Sequence, residues 1–271
     1  MADEAVPFDD RGFAYGDGLF ETVLVRDGQP LLWGAHLRRL ARGAERLEIP
    51  LPDAQTLASL PGQAGAGLYV LKLLVTRGSG GRGYASPESP APRLRWRCMP
   101  FTPQSTHWRD GVRVRLCRLR LGQQPLLAGI KHLNRLENVM ARREWCDADI
   151  AEGVLCDQHD RLVEATSMNL VWQRHGTLET PDLTACGVEG TLLAALRERL
   201  PIATRATGIE ALMEADAAWV INSVQGVWPL RQLDDADGNC LKRWAVDTVH
   251  RHLQHHAHPL LGYPHDAFDE A

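Results

Sequence analysis

Lys131 lies in an apolar segment that contains one glycine, residues 127–135 (LAGIKHLNR). Burial disfavours the charged form of a lysine, so a desolvated lysine loses its proton readily and becomes a nucleophilic amine. Such an amine can form a Schiff base with a carbonyl group. A surface lysine that precedes a helix would leave the same pattern, so this segment alone keeps both interpretations open.

Glu164 follows in residues 160–172 (DRLVEATSMNLVW), which read as a turn and a β-strand. A carboxylate with apolar neighbours is costly to bury unless a cation meets it. A protonated pyridine nitrogen would be a suitable cation. Taken alone, Glu164 is equally compatible with an ordinary surface residue at the end of a strand.

Two loops and one arginine could form a site for a phosphate group. The first loop, residues 186–191 (CGVEGT), precedes an apolar helical run. The backbone N–H groups of Val188 and Glu189 are therefore predicted to donate hydrogen bonds to phosphate oxygens. Ser223 and Val224, just past a strand, would add a hydroxyl and a further N–H. Arg39 supplies a planar fork of donors that suits phosphate. Each feature alone could be a helix cap or a turn, whereas the three together favour an anion site.

Residues 77–84 (RGSGGRGY) form a glycine-rich segment with an arginine at two positions. The segment lacks the Gly-Lys-Ser/Thr ending of a P-loop and the glycine spacing of a dinucleotide-binding loop. It is interpreted instead as a flexible substrate loop, in which Arg77 and Arg82 meet carboxylates. A plain mobile loop is the alternative.

These residues need a scaffold, and the pattern predicts one of mixed α and β structure in two domains. The N-terminal part reads as an α+β domain, with strands at residues 19–26, 68–76, 93–99 and 112–118. A Gly/Gln/Pro segment, residues 121–129, is predicted to connect the domains. Beyond it we expect helices around residues 136–145 and 191–200, and strands near residues 153–157, 163–172 and 217–222. The domains would therefore be residues 1–120 and a larger 121–271 that carries Lys131, with a ligand cleft between them.

Composition excludes several classes of protein. The 271 residues are 44% hydrophobic, enough for a sizeable core, but no apolar run is long enough to cross a bilayer. The acidic N-terminus lacks the features of a signal peptide, and the six cysteines form no Cys-x-x-Cys pair, so a reduced cytoplasmic protein is expected. The net charge of -4 disfavours a nucleic-acid binder. The histidine-rich residues 250–258 lack an array of cysteines or carboxylates, so we expect an exposed helical end and no metal site.

The chain resembles the branched-chain aminotransferase-like family of pyridoxal-phosphate enzymes, known as fold type IV, and within it the aminodeoxychorismate lyase branch. The motifs that carry this resemblance span most of the chain: residues 13–22 (FAYGDGLFET), 36–40 (HLRRL), 77–84, 128–135, 164–170 (EATSMNL), 187–191 (GVEGT) and 222–230 (NSVQGVWPL). The glycine-rich segment and residues 131–135 are the motifs that favour the lyases over the aminotransferases.

The resemblance implies a cofactor, pyridoxal 5'-phosphate, held as a Schiff base by Lys131 in the cleft between the two domains. Glu164 would keep the pyridine nitrogen protonated, while Arg39 and the two loops would bind the phosphate. The implied reaction converts 4-amino-4-deoxychorismate to 4-aminobenzoate and pyruvate for folate biosynthesis. Lys131 would remove the proton from the ring carbon that bears nitrogen, and Thr22 would assist proton transfer on the pyruvate side. A homodimer is also implied.

Two alternative functions stay open at this point. A D-amino-acid or branched-chain aminotransferase shares the cofactor site and the first proton abstraction, but it needs a pocket for an α-carboxylate and a second substrate. A non-catalytic protein that binds pyridoxal phosphate or phosphate is the alternative outside catalysis. The presence of Lys131, Glu164 and Arg39 argues against a degenerate binder.

Overall fold

The computed structural model describes residues 5–264, so the first four residues of the acidic N-terminus lie outside it. The described chain divides into two compact units. The first runs to Thr102 and also includes Ile130–Arg135; the second comprises Pro103–Gly129 and the residues from Leu136 onward.

The first unit contains a four-stranded antiparallel sheet in the order β2-β1-β3-β4. Its strands are β1 (Gly18–Arg26), β2 (Gln29–Pro30), β3 (Leu68–Thr76) and β4 (Arg93–Pro100). Three of these strands were expected from the sequence, because their apolar residues alternate or run continuously. Leu19 and Val23 of β1 are buried, with Leu71 and Val75 of β3 on the same face, because opposite residues of an antiparallel pair share a face.

The described part of the first unit also contains helices. They are α1 (Arg11–Tyr15), α2 (Trp33–Leu47), α3 (Ala54–Ser59) and a short 3₁₀ helix at Pro61–Gln63. Of these, α2 packs on the apolar face of the sheet, against β1. Gly43 of α2 packs so closely on Leu19 that a Cβ atom at position 43 would lie 2.8 Å from a Leu19 methyl group. The close approach brings the buried side of α2 directly onto β1.

The segment Ile130–Arg135 attaches to the free edge of β1. The strand β2 pairs only with the end of β1, at Val25 and Arg26, so the edge at the start of β1 remains open. The N–H of Phe20 donates to the carbonyl of Lys131 (3.0 Å), and the N–H of Leu133 donates to the carbonyl of Gly18 (3.0 Å). These bonds satisfy backbone groups that an open strand edge would leave unpaired.

The second unit contains a nine-stranded mixed sheet. Eight strands follow the order β10-β9-β8-β11-β12-β5-β6-β7, and β13 pairs with β12. The strands are β5 (Val112–Leu121), β6 (Ile150–Asp157), β7 (Leu162–Ala165), β8 (Asn169–Arg174), β9 (Thr177–Pro181), β10 (Ile202–Arg205), β11 (Ala217–Asn222), β12 (Gly226–Asp234) and β13 (Cys240–Arg243). The pairs β5·β6, β5·β12 and β9·β10 are parallel.

The helices of the second unit are α4 (Ser105–Asp110), α5 (Leu136–Arg142), α6 (Thr191–Arg197), α7 (Glu210–Glu214), α8 (Thr248–Ala257) and a 3₁₀ helix at His258–Leu261. The single strand expected over residues 163–172 is two strands, β7 and β8. They separate because β7 pairs with β6, whereas β8 pairs with β9 and β11. The turn between them follows Glu164 closely.

The two domains expected from the sequence, residues 1–120 and 121–271, stay a prediction. The two compact units of the structure differ from them at two places. Strand β5 lies in the second unit because its partners are β6 and β12. Lys131 lies in the first unit because its segment pairs with β1.

The expectation that the histidine-rich end is exposed is wrong for two of its histidines. His250 and His258 are buried, and their rings pack against those of Trp219 and Trp108. The described residues contain no group of three histidines, cysteines or acidic residues arranged to hold a metal ion. Within residues 5–264, no helix has the length and apolar character needed to cross a membrane.

Candidate active site

The first unit places the Lys131 side chain over an aromatic ring. Its Nζ lies 4.5 Å from the centroid of the Phe20 ring, a distance typical of a cation–π contact. Lys131 is half-buried. Arg135 fixes the segment by donating to the carbonyls of His132 (3.1 Å) and Ile130 (3.2 Å). The lysine is thus held by both its backbone and its side chain.

Thr22 lies two residues beyond Phe20 in β1, so both side chains project from the same face of the sheet. Both are half-buried. Across the strand pair, Thr22 is opposite Lys72 of β3. The structure therefore brings Thr22 to the face of the sheet that carries the aromatic ring beneath Lys131.

A buried ion cluster lies on the other face of β1. Glu21 accepts hydrogen bonds from Arg39 Nε (2.8 Å) and Nη2 (2.5 Å), and it meets His36 Nδ1 at 2.7 Å. Burial alone would raise the pKa of Glu21, but the Arg39 guanidinium and hydrogen bonds from Arg39 and His36 lower it to about 2. Burial also lowers the pKa of His36. Glu21 therefore fixes the orientation of Arg39, the predicted phosphate-binding arginine.

The contacts of Arg77 differ from the predicted role. Its guanidinium donates to Asp17 (2.7 and 3.1 Å) and to the carbonyls of Leu47 (2.6 Å) and Glu48 (2.9 Å). Arg77 is 7% exposed. It closes the C-terminal end of α2 and anchors the base of the glycine-rich loop. The guanidinium of Arg77 is therefore engaged by the protein itself, and its predicted contact with substrate gains no support from the structure.

The glycine-rich loop is held more firmly than its sequence suggests. Buried Arg11 donates to the carbonyls of Gly83 (3.1 Å), Tyr84 (3.2 Å) and Ala85 (3.1 Å). Arg82 itself is exposed, and its guanidinium has no hydrogen-bond or ion-pair partner among residues 5–264. The loop thus presents Arg82 from a fixed backbone, which suits an anion-binding residue.

The second unit places Glu164 on β7, where the residue is buried. Its carboxylate accepts a hydrogen bond from the N–H of Val188 (2.9 Å) and a longer one from the Asn138 amide (3.5 Å). Gly187 beside it has φ +85°, and a Cβ atom there would lie 2.7 Å from Val163. Only glycine allows this close approach of the loop to the strand.

All three predicted backbone phosphate donors already donate to other groups of the protein. The N–H of Val188 donates to Glu164, and that of Glu189 donates to the carbonyl of Gly129 (3.2 Å). The N–H of Val224 donates to the Asn222 side chain (2.9 Å). The Ser223 hydroxyl has no hydrogen-bond partner among the described residues. The three N–H groups of this set thus have other partners, and the phosphate-binding role of Ser223 stays a prediction.

Sequence reasoning missed several residues that position the site. Glu152 is buried in β6 and accepts hydrogen bonds from the hydroxyls of Thr166 and Ser167, which holds the turn just after Glu164. Arg11 holds the glycine-rich loop by hydrogen bonds to its carbonyls, and Glu21 holds Arg39. A charged residue within an apolar strand is the one signal that could have identified Glu152 and Glu21.

His132, next to Lys131, is buried and neutral at ordinary pH. Burial, followed by the nearby charges of Arg135 and Lys131, lowers the pKa of His132 to about 4. Its Nδ1 is buried and has no hydrogen-bond partner within residues 5–264. The residue therefore adds no positive charge next to the lysine.

Comparison with known proteins assigns this arrangement to a family. The model of the class IV aminotransferases matches residues 18–233. This range includes Lys131, buried Glu164 and the two loops predicted to bind phosphate. The chain belongs to the class IV aminotransferase family. The chain is similar to the aminodeoxychorismate lyase of Vibrio harveyi, with 34% identity over 83% of this chain and 86% of that protein.

Solved structures agree on the fold. The crystal structure of 4-amino-4-deoxychorismate lyase from Pseudomonas aeruginosa is 44% identical, with a TM-score of 0.88 over 98% of this chain and 97% of that one. A hypothetical aminotransferase from Mycobacterium tuberculosis in its PLP-bound form is 22% identical, with a TM-score of 0.78 over 96% and 94% of the two chains. The protein therefore has the fold type IV, aminotransferase-like mixed α/β architecture, as the sequence predicted.

Proposed function

We propose that this protein is a pyridoxal-phosphate-dependent lyase that converts 4-amino-4-deoxychorismate to 4-aminobenzoate and pyruvate. The observation that carries the proposal is the placement of Lys131 over Phe20, on the face of β1 that also bears Thr22. The similarity to two lyases, at 34% and 44% identity over most of the chain, supports the substrate.

The donor groups of the chain fit pyridoxal phosphate. Lys131 would hold the aldehyde carbon, and buried Glu164 would face the pyridine nitrogen as a carboxylate. Arg39 and Ser223 would hold the phosphate, since a guanidinium and an unpartnered hydroxyl are suitable donors. When bound, the cofactor supplies an electron sink for the carbon that carries the substrate amine.

Each residue then has a defined task in an elimination. Lys131 removes the proton from the ring carbon that bears nitrogen. The C–O bond to the neighbouring ring carbon breaks, its electron pair leaves with enolpyruvate, and the ring becomes aromatic. Thr22 relays a proton on the side where enolpyruvate becomes pyruvate. Arg82 binds the carboxylate on the ring, using its free guanidinium.

We also propose that the protein works as a homodimer in the cytoplasm. Large apolar side chains are exposed in each unit, among them Phe8, Phe13 and Tyr84 in the first and Leu136 and Val139 in the second. A second copy of the chain would cover such surfaces. All six cysteines are free, as expected in a reducing compartment. Sedimentation equilibrium on the purified protein measures the oligomeric state.

The direct test is to incubate the purified protein with 4-amino-4-deoxychorismate and follow 4-aminobenzoate and pyruvate, which we expect in equal amounts. The cofactor should absorb in the visible range and be fixed by borohydride on Lys131. The chain has only three lysines, at positions 72, 131 and 242, so peptide mapping decides this cleanly. Rapid transamination of D-alanine or leucine with 2-oxoglutarate, without 4-aminobenzoate, would instead establish an aminotransferase.

A further inference from the structure

Glu152 is a buried glutamate near the start of β6, and it has no cationic partner within residues 5–264. Glu179 of β9, a glutamate of similar burial in the same unit, is paired with Arg174 and Arg205. A buried carboxylate without a cation is costly unless hydrogen bonds satisfy its oxygens. The groups that donate to Glu152 therefore show what this residue holds.

Three hydrogen bonds reach Glu152 from the turn between β7 and β8. The Thr166 hydroxyl donates to Oε2, and the Ser167 hydroxyl donates to Oε1. The N–H of Ser167 makes a longer bond to Oε2 (3.3 Å). In addition, the N–H of Thr166 donates to the carbonyl of Gly153, the next residue of β6 (2.9 Å). Both residues of the turn are thus fixed to β6.

On one side, this turn is tied to Glu164. The side-chain amide of Asn138, on α5, donates to the carbonyl of Thr166 (3.1 Å) and to Oε1 of Glu164 (3.5 Å). One amide group therefore contacts both the turn and the carboxylate that is proposed to face the pyridine nitrogen. A shift of the turn would displace this amide from Glu164.

On the other side, the same turn is tied to the loop after β11. The Asn222 amide donates to the carbonyl of Ser167 (3.4 Å). The amide oxygen of Asn222 accepts from the N–H groups of Val224 (2.9 Å) and Gln225 (2.6 Å). These bonds fix the backbone around Ser223, the predicted phosphate donor. The turn thus contacts both segments that are proposed to hold the cofactor.

We propose that Glu152 is a positioning residue for the cofactor, because the turn that it holds keeps Glu164 and the loop after β11 at a fixed separation. This inference rests on the proposed function only for the identity of the cofactor. The pyridine nitrogen and the phosphate belong to one small molecule, so their two binding groups must keep a matching separation. A single buried anchor between those groups supplies it.

The test compares Glu152→Leu, which removes both acceptor oxygens, with Glu152→Gln, which keeps one. In the glutamine variant, the remaining oxygen can accept from the N–H of Ser167, while the Ser167 hydroxyl rotates to accept from the new amide. Glu179→Leu is the matched control. Its hydrogen-bond donors include Trp172 and Arg205, and none of the donors of Glu179 belongs to the turn or to the loop after β11.

Two measurements separate positioning from general stability. Full-length protein freed of cofactor by dialysis is titrated with pyridoxal 5'-phosphate and with pyridoxal, which lacks the phosphate. The visible absorbance of the loaded protein, followed against pH, reports the protonation of the pyridine nitrogen, and Glu164→Gln provides the reference for its loss. The melting temperature of each variant measures stability separately.

Glu152→Leu should weaken the binding of pyridoxal phosphate about ten-fold, the effect of one charge-assisted hydrogen bond. Pyridoxal should lose less affinity, because it makes no phosphate contacts. The pH at which the absorbance changes should shift in the same direction as in Glu164→Gln. Glu152→Gln should keep most of the parent's affinity. Glu179→Leu should lower the melting temperature but match the parent in both cofactor measurements.

If Glu152→Leu does not fold, Thr166→Val and Ser167→Ala replace it. Each removes one hydroxyl donor and leaves the carboxylate in place, so each should give a smaller loss of the same kind. The cofactor measurements on these two variants then decide the inference in the same way.

Three results would overturn the inference. The first is unchanged cofactor affinity and an unchanged absorbance profile when the bonds to Glu152 are removed. The second is an equal loss in Glu179→Leu, which would assign the effect to stability. The third is an equal loss for pyridoxal and pyridoxal phosphate, which would show no link to the phosphate loop. A parent that binds the cofactor but makes no 4-aminobenzoate refutes the lyase function alone, whereas one that binds no cofactor refutes both.

Discussion

Substitution of Glu21 by glutamine should destabilise the first unit by about 3 kcal/mol at pH 7. The pKa of Glu21 is lowered from 4.5 to about 2 by Arg39 and His36 despite the opposing effect of burial. Each pKa unit corresponds to about 1.4 kcal/mol of differential interaction, which gives about 3 kcal/mol for this shift. Removal of one partner from a buried ion pair typically costs about 3–5 kcal/mol, which agrees.

The pH dependence of this effect has a definite sign. Because the pKa of Glu21 is lower in the folded state, its contribution is fully present above pH 4.5 and is lost as the pH falls toward 2. The difference between parent and Glu21→Gln should therefore be constant from pH 7 to pH 5. It should shrink to about 2 kcal/mol at pH 3.5.

Amide hydrogen exchange of peptides from β1 and α2 measures the stability of the first unit alone, and urea denaturation at pH 7, 5 and 3.5 gives the pH dependence. Glu45→Gln is the control, because Glu45 is an exposed acid of α2 and its substitution should cost no more than about 0.5 kcal/mol. Glu21→Gln should also weaken cofactor binding, since Arg39 loses its fixed orientation. The reasoning is refuted if Glu21→Gln is as stable as Glu45→Gln, or if their difference does not change with pH.

Three further predictions concern other residues of the site. Glu164→Gln should retain the cofactor, seen by its visible absorbance, but lose turnover, because a neutral amide no longer stabilises a protonated ring; full activity would contradict the role of this carboxylate. Arg11→Gln should speed hydrogen exchange over residues 80–85 and raise KM while the cofactor spectrum stays unchanged; an equally protected loop would show that Arg11 does not hold it. The pKa of His132 is lowered to about 4 by burial and nearby charges, so protonation favours the unfolded state as the pH falls from 6.5 to 4. His132→Gln should thus lose less stability than the parent over that range, by up to about 3 kcal/mol in urea denaturation, and identical pH profiles would disprove this.

Local sequence patterns were sufficient to predict a strand or a candidate residue wherever the structure or role depends only on the residue's own segment. The strands β1, β3 and β4 have apolar residues that alternate or run continuously, and such patterns determine a strand without reference to distant partners. The family motifs are local in the same sense. Lys131 and Glu164 could therefore be identified as candidates, because each stands as an isolated charge in an apolar segment.

The sequence by itself determined the fold class, the family and the types of chemical group available. The tertiary structure decided which of those groups are free to act. Arg77 and Arg82 look alike in the sequence, yet Asp17 and two carbonyls at the end of α2 engage the first and leave the second open. Likewise, Val188 gives its N–H to Glu164, a residue on a different strand. A hydrogen bond satisfies a donor through whichever acceptor lies within about 3 Å, and that neighbour is set by the packing of distant segments rather than by local spacing.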